Sequence, residues 1–180
     1  MPEKDKRARA HVTNVVFAGL GGQGIIKASD MLAEAAFRSG YDVKKSEIHG
    51  MSQRGGSVTS DVRFGREVFS PMIPSGEAQY MVALDSTQID AARHVMRPDR
   101  LIFAPEMFLK DGQTFDDLDK DAASPVNRRN LNVALLGVLS THMDLEESVW
   151  LEAVYANLPE KLHEQNAAVF AYGREVGKKA

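Results

Sequence analysis

The stretch FAGLGGQGIIKASDMLAEAA, residues Phe17–Ala36, determines how the first half of the chain is interpreted. Val12–Gly19 is rich in β-branched residues and predicts a strand that ends at a glycine. Ile25–Ser39 carries apolar residues at three- and four-residue spacing, which predicts an amphipathic helix. Gly40 predicts the end of that helix. The strand and the helix are joined by a tight turn that contains Gly19, Gly21, Gly22, Gln23 and Gly24.

A glycine turn between a strand and a helix is suited to an anion. Glycine adopts positive φ without strain, and a helix N-terminus presents unpaired N–H groups and a partial positive charge. The glycine spacing fits the G-x-G-x-x-G pattern of dinucleotide-binding proteins. However, no acid lies where a ribose-binding residue is expected at the end of the predicted second strand, Tyr41–Ile48. The nearest acids are Asp42 at its start and Glu47 near its end, and the strand carries Lys44 and Lys45. Three interpretations stay open: a dinucleotide, another phosphate-bearing ligand, and close strand–helix packing without a ligand.

A second polar loop, HGMSQRGGS, follows at residues 49–57. In an open parallel sheet, the loop after the second strand lies at the carboxyl edge, beside the first glycine turn. The side chain of Arg54 offers a fork of donors to a phosphate or carboxylate. Gly55 and Gly56 let backbone amides approach the same anion. The structural alternative for Arg54 is an ion pair with Glu47.

The rest of the chain predicts an α/β fold. Val58–Phe64 and the segment EVFS after Gly65 form a predicted hairpin, while residues 105–127 are predicted to be irregular. Strands are expected at Tyr80–Leu84 and Arg100–Ala104, and helices at Ser86–Met96, Arg128–Met143, Leu145–Asn157 and Pro159–Gly173. We therefore predict a single Rossmann-like domain over residues 12–175, with a mainly parallel sheet, one hairpin and a helical C-terminal third. Flexible tails are predicted at 1–11 and 176–180.

Composition excludes several classes of function. The chain has 180 residues, a net charge of −3 and no cysteine. The charge gives no bulk attraction to nucleic acid or to an anionic membrane. Without cysteine, this chain cannot ligate an iron–sulfur cluster or form a disulfide. The five histidines show no metal-ligand spacing. With no apolar segment typical of a signal peptide or a membrane span, we expect the protein in the cytoplasm.

Four stretches together resemble the gamma-type subunit, or domain, of 2-oxoacid:ferredoxin oxidoreductases. They are GLGGQGIIKASDMLAEAA, GYDVKKSEIHGMSQRGGSVTSDVRFG, SPMIPSGEAQYMVALD and NRRNLNVALLGVLS, and their order and spacing are similar to those of the family. The segment SEIHGMSQRGGSV resembles the corresponding segment of the indolepyruvate branch, in which the matching chain is the small beta subunit. The resemblance covers about residues 12–175.

The resemblance implies a role in a complex. Members of this family oxidatively decarboxylate a 2-oxoacid, join the acyl group to coenzyme A and pass electrons to ferredoxin. Thiamine diphosphate and iron–sulfur clusters would then lie on a large alpha subunit, and this chain would bind no cofactor alone and be inactive alone. The resemblance also implies which residues face the alpha subunit and contact coenzyme A or only the partner: Gly19, Gly21, Gly22, Gln23, Gly24, Gln53, Arg54, Gly55 and Gly56. The alternatives are a non-catalytic assembly module and an independent dinucleotide-binding oxidoreductase.

Overall fold

The fold is built on one open sheet of five strands. The computed structural model describes residues 12–50 and 55–180, so the predicted tail at 1–11 lies outside the described residues. The strand order is β2-β3-β1-β4-β5. Strands β1, β2, β4 and β5 run in one direction and β3 runs against them. The bounds are β1 Thr13–Leu20, β2 Asp42–His49, β3 Ser57–Gly65, β4 Ala78–Ala83 and β5 Met96–Phe103.

The hairpin differs from the prediction in its partner. Strand β3 pairs antiparallel with β2 and lies between β2 and β1. The segment EVFS after Gly65 is not a strand, so pairing it with β3 was wrong. Its backbone is fixed by side chains from the strands: Asp42 accepts from the amide of Val68, and Arg63 donates to the carbonyl of Ser70. The long glycine-rich segment, rather than the short Gly65–Arg66 turn, therefore connects the two arms of the hairpin.

Most helices cover one face of the sheet. The helix bounds are α1 Ile25–Arg38, α2 Ile89–Ala92, α3 Leu131–Ser140, α4 Glu147–Asn157 and α5 His163–Gly177. The apolar stripe of α1, which includes Ala28, Leu32 and Ala35, is buried against the sheet. Helix α1 ends as predicted, because Gly40 has φ +83 and the amide of Tyr41 donates to the carbonyl of Ala36. The predicted α/β class is confirmed.

Helices α3 and α5 pack unusually closely because glycines face each other. A Cβ atom built at Gly137 would lie 2.3 Å from the carbonyl oxygen of Phe170, and one at Gly173 would lie 2.1 Å from that of Ala134. Real carbon atoms do not approach oxygen so closely, so both positions require glycine. Every residue of α3 is buried, which makes this helix the centre of the C-terminal third. This packing fixes where the N-termini of α3 and α5 lie relative to the sheet.

The other face of the sheet has a smaller cover. Val16, Ala18 and Met81 are buried there with Ile73 and Ala92. The helix predicted at Ser86–Met96 is broken into the short α2 flanked by two 3-10 turns. The segment is capped by the side chain of Asp85, not by that of Ser86 or Thr87, and this side chain accepts from the amide of Thr87. None of the described helices is long and apolar enough to cross a membrane.

Candidate functional site

The two glycine-rich segments meet at the carboxyl edge of the sheet. Leu20, the last residue of β1, is opposite Ser57, the first residue of β3. Directly beyond this pair, the amide of Gly21 donates a hydrogen bond of 2.9 Å to the carbonyl oxygen of Gly56. The loop that follows β2 therefore lies beside the first turn, as its place in the chain predicts. Gly21, Gly22 and Gly55 are exposed at this edge.

The glycines at this edge are needed for different reasons. Gly22, Gly24 and Gly55 have positive φ values of 95°, 82° and 66°, a conformation that side chains disfavour. No atom of residues 12–50 or 55–180 would meet a Cβ within 4 Å at Gly22 or Gly55, whereas a Cβ at Gly24 would lie 2.7 Å from the Nδ2 atom of Asn132. Gly24 is thus held between two helices, while Gly22 and Gly55 face open space.

Gln23 connects the turn to the end of β4. Its Oε1 atom accepts a hydrogen bond of 2.7 Å from the amide of Leu20, and its Nε2 atom donates at 3.0 Å to Oδ2 of Asp85. Gly19 leaves the room for this, because a Cβ there would lie 2.9 Å from Oε1 of Gln23. Burial opposes ionisation of Asp85, but hydrogen bonds from Thr87 and Gln23 lower its pKa below the ordinary value.

Asp85 was missed by sequence reasoning. The signal was present, because an acid directly after the buried end of β4 lies at the same carboxyl edge as the glycine turn.

Sequence reasoning did include Gln53 and Arg54, but both lie outside the described residues. Glu47, the alternative partner of Arg54, receives 2.6 Å and 3.5 Å contacts from Lys45 and His49. The hydrogen bond from Lys45 lowers the pKa of Glu47.

A cleft of about 990 Å³ opens on the other side of the same turn. Its walls come from four regions of the chain: the start of α1, the segment around Phe115 and Asp119, the segment before and into α3, and the segment before and into α5. The lining residues are Gly22, Gln23, Gly24, Lys27, Phe115, Asp119, Asn127, Arg128, Arg129, Asn130, Asn132, Val133, Leu158, Lys161, Leu162, Gln165 and Asn166. No sequence pattern predicted this cleft, because its walls come together only through the packing of the helices.

Basic side chains dominate the charge of the cleft. Four of its lining residues are Lys or Arg and one is Asp, although the whole chain has a net charge of −3. Arg128 is neutralised locally, because its Nε atom is 2.6 Å from Asp119. The hydrogen bonds from the backbone and side chain of Arg128 lower the pKa of Asp119. Lys27 donates to the carbonyl of Asn157 at 3.2 Å, which leaves its charge without a carboxylate partner among the described residues.

The geometry does not favour a dinucleotide or a metal. In the usual dinucleotide-binding order the second strand lies next to the first, whereas here β3 separates β2 from β1. Across residues 12–50 and 55–180, no group of three or more potential ligands is arranged to hold a metal ion. The edge is instead a turn of exposed amides and glycines beside a basic cleft, which suits an anionic ligand or a close-fitting partner.

The chain matches the family described as pyruvate ferredoxin/flavodoxin oxidoreductase over residues 14–176. It belongs to this family. It is 32% identical to the indolepyruvate oxidoreductase subunit IorB of Thermococcus kodakarensis, over 92% of this chain and 96% of that protein. The resemblance to gamma-type subunits of 2-oxoacid:ferredoxin oxidoreductases is thereby confirmed, and so is membership of an oxidoreductase complex.

Two solved structures share the fold. The gamma subunit of the keto/oxoacid ferredoxin oxidoreductase from Geobacter sulfurreducens has a TM-score of 0.69 at 22% identity, over 93% of this chain and 99% of that one. The 2-oxoglutarate:ferredoxin oxidoreductase from Magnetococcus marinus, with 2-oxoglutarate, coenzyme A and succinyl-CoA bound, has a TM-score of 0.75 at 19% identity. There the match covers 94% of this chain and 31% of the longer one. The same fold thus occurs as a separate subunit and as one part of a larger chain.

Proposed function

We propose that this chain is the non-cluster subunit of an indolepyruvate, or arylpyruvate, ferredoxin oxidoreductase and is inactive alone. The substrate is supported by the 32% identity to an indolepyruvate oxidoreductase subunit over nearly the whole of both chains. Dependence on a partner is supported by the lack of any cysteine that could hold a cluster. The clusters and thiamine diphosphate therefore belong to a large alpha subunit, from which ferredoxin receives electrons.

The contact of the two glycine turns carries the second part of the proposal, which is that this edge contacts coenzyme A. The Gly21–Gly56 hydrogen bond creates one surface from residues more than thirty positions apart. Amides at a helix N-terminus and an arginine beside glycines suit the phosphates of that molecule. In the complex, coenzyme A supplies the thiol that accepts the acyl group. We infer that Gly19, Gly21, Gly22, Gln23, Gly24, Gln53, Arg54, Gly55 and Gly56 form the surface that meets it.

A non-catalytic assembly role is the second candidate, and one observation favours it. Two of the glycines have a packing reason that needs no ligand: Gly19 accommodates Gln23, and Gly24 contacts Asn132. Gly22 and Gly55 are different, because they face open space at an exposed edge. These two exposed positions support a surface that receives a ligand or a partner.

Co-expression with the large subunit that accompanies this chain tests the proposal. Purified complex is assayed for coenzyme A-dependent reduction of ferredoxin with indolepyruvate, phenylpyruvate and pyruvate. The expected result is a complex that acts on the two aryl substrates in preference to pyruvate, while the chain alone has no activity. Equal activity of the large subunit without this chain would contradict the subunit role. A preference for pyruvate would contradict the aryl substrate and leave the subunit role intact.

A further inference from the structure

The cleft beside Gly22–Gly24 is the feature that the proposed function does not yet use. Three helix N-termini line it: α1 begins at Ile25, α3 at Leu131 and α5 at His163. None of the three has a hydrogen bond from a capping side chain. The first N–H groups of α1 have no partner within the helix, so the partial positive charge of α1 lies at this cleft. At α5 the amide of His163 donates instead to the carbonyl of Glu160 in the preceding 3-10 turn, and at α3 the amide of Val133 donates to Asn130 and Asn132.

Two basic side chains in the same cleft have no assigned partner. The guanidinium of Arg129 and the ammonium of Lys161 make no hydrogen bond or ion pair with any of the described residues. Both residues are exposed, and they approach the cleft from the start of α3 and the start of α5. The neighbouring Arg128 already forms ion pairs with Asp119 and Asp116. Neither side chain is held by a hydrogen bond or ion pair, so both are available to a ligand, although the charge of Arg129 also helps to lower the pKa of Asp119.

Packing contacts hold the walls of the cleft together. The starts of α1 and α3 are held together where Asn132 donates to the carbonyl of Gly24 at 3.4 Å, across 108 positions of chain. Helices α3 and α5 are held together by the close contacts of Gly137 with Phe170 and of Gly173 with Ala134. A volume of about 990 Å³ is within the range of sites for nucleotide-sized molecules.

We propose that this cleft binds a ligand that carries several phosphate groups, with Arg129 and Lys161 as binding residues. The ligand lies with one phosphate group toward the amides of Gly22–Gly24 and another toward the two basic side chains. A nucleoside carrying more than one phosphate fits the volume and the charge. The identity of that ligand as a part of coenzyme A rests on the proposed function, but the binding of phosphates by the cleft does not.

The test is calorimetric titration of the full-length chain with three probes: inorganic pyrophosphate, adenosine 3′,5′-bisphosphate and adenosine. Both phosphorylated probes should bind with a dissociation constant below about 1 mM, and adenosine should not bind measurably. The double variant Arg129→Gln/Lys161→Gln should bind the phosphorylated probes at least about 10-fold more weakly, because each lost contact is charge-assisted. Lys161→Gln alone is a milder variant that should weaken binding in the same direction.

The matched control is Arg66→Gln/Lys179→Gln, which removes the same charge from exposed positions outside the cleft. It should bind both phosphorylated probes like the unmodified chain. Equal weakening by the control would show only general charge attraction and would overturn the proposal, as would no binding of pyrophosphate at millimolar concentration. An active complex whose small subunit fails to bind pyrophosphate refutes this inference alone, while binding by a chain that forms no active complex refutes the proposed function alone.

Discussion

The amide of Gly21 lies 2.9 Å from the carbonyl oxygen of Gly56, and this contact joins the turn after β1 to the segment that connects β2 and β3. An antiparallel strand between β1 and β2 makes the contact possible, because the first residue of β3 is directly opposite the last residue of β1. In a sheet with β2 next to β1, the same two segments would have to meet across a parallel pair. The strand order of this fold therefore creates an exposed glycine edge.

Gly24→Ala should destabilise the protein more than Gly40→Ala. Both glycines have nearly the same backbone, with φ values of 82° and 83°, so alanine at either position costs about 1–2 kcal/mol for the left-handed conformation. Only Gly24 also faces the buried Asn132 at 2.7 Å from a new Cβ, which adds about 1–3 kcal/mol of overpacking. Chemical denaturation of the two variants measures the difference. Equal free energies of unfolding would show that Asn132 moves aside without cost.

Gly137→Ala should lower the free energy of unfolding by roughly 1–3 kcal/mol or more. Alanine favours a helix by about 1 kcal/mol over glycine, so any loss must come from the carbonyl oxygen of Phe170 at 2.3 Å. Gly21→Ala is the matched control, because its nearest neighbour would be at an ordinary 3.6 Å. Thermal melting of both variants measures the difference in stability. A Gly137→Ala protein as stable as the control would contradict the close packing of α3 and α5.

Asp61→Asn should gain stability relative to the unmodified protein as the pH rises. Burial raises the pKa of Asp61, against the hydrogen bond from the amide of Ile73 and the charges of Arg63 and His94. The folded state thus holds this proton more tightly than the unfolded chain does. The resulting stability is fully present below the unfolded pKa of about 4 and is lost as the pH rises through the folded pKa.

The measurement is the difference in free energy of unfolding between Asp61→Asn and the unmodified protein, from about pH 4 to about pH 7. Asparagine keeps an oxygen that can accept from the amide of Ile73 at 2.9 Å and has no proton to lose. The control Asp144→Asn changes an exposed carboxylate that has no hydrogen-bond or ion-pair partner in the described part of the chain. A difference that stays constant, or one that the control shares, would contradict the assignment to Asp61.

Local sequence signals predicted the elements that depend on local chemistry. Helix α1 begins at the predicted Ile25 and ends one residue before the predicted Ser39, because its apolar stripe and the left-handed Gly40 are properties of the segment itself. The pairing of β3 was missed, because an antiparallel insertion between two strands is decided by contacts across the sheet. The helix predicted at Ser86–Met96 is interrupted, since Asp85 caps a tight 3-10 turn there instead.

The candidate site also has parts that local sequence predicts and parts that depend on long-range packing. The glycines of both turns were proposed as site residues because glycine patterns are visible in sequence. Their approach was expected at the carboxyl edge of a parallel sheet, whereas the structure brings Gly21 to Gly56 through the antiparallel β3, which lies between β1 and β2. Arg129 and Lys161 were not proposed, because they come to the same cleft as the turn only through the packing of the helices. Asp85 was predictable only in part. Its place at a strand end is visible in the sequence, but its hydrogen-bond partner, Gln23, is 62 positions away. Long-range packing is therefore the part that sequence alone did not provide.

The central claim is that the glycine edge contacts coenzyme A, and the KM for coenzyme A of reconstituted complex with Arg54→Ala tests it most directly. Loss of a charge-assisted bond worth about 1.5–3 kcal/mol should raise that KM roughly 10- to 150-fold, and Arg54→Lys should restore only part of it. Arg66→Ala, an exposed arginine at the opposite end of β3, should leave the KM unchanged. Arg54→Ala complex that assembles and melts normally with an unchanged KM for coenzyme A would contradict the claim.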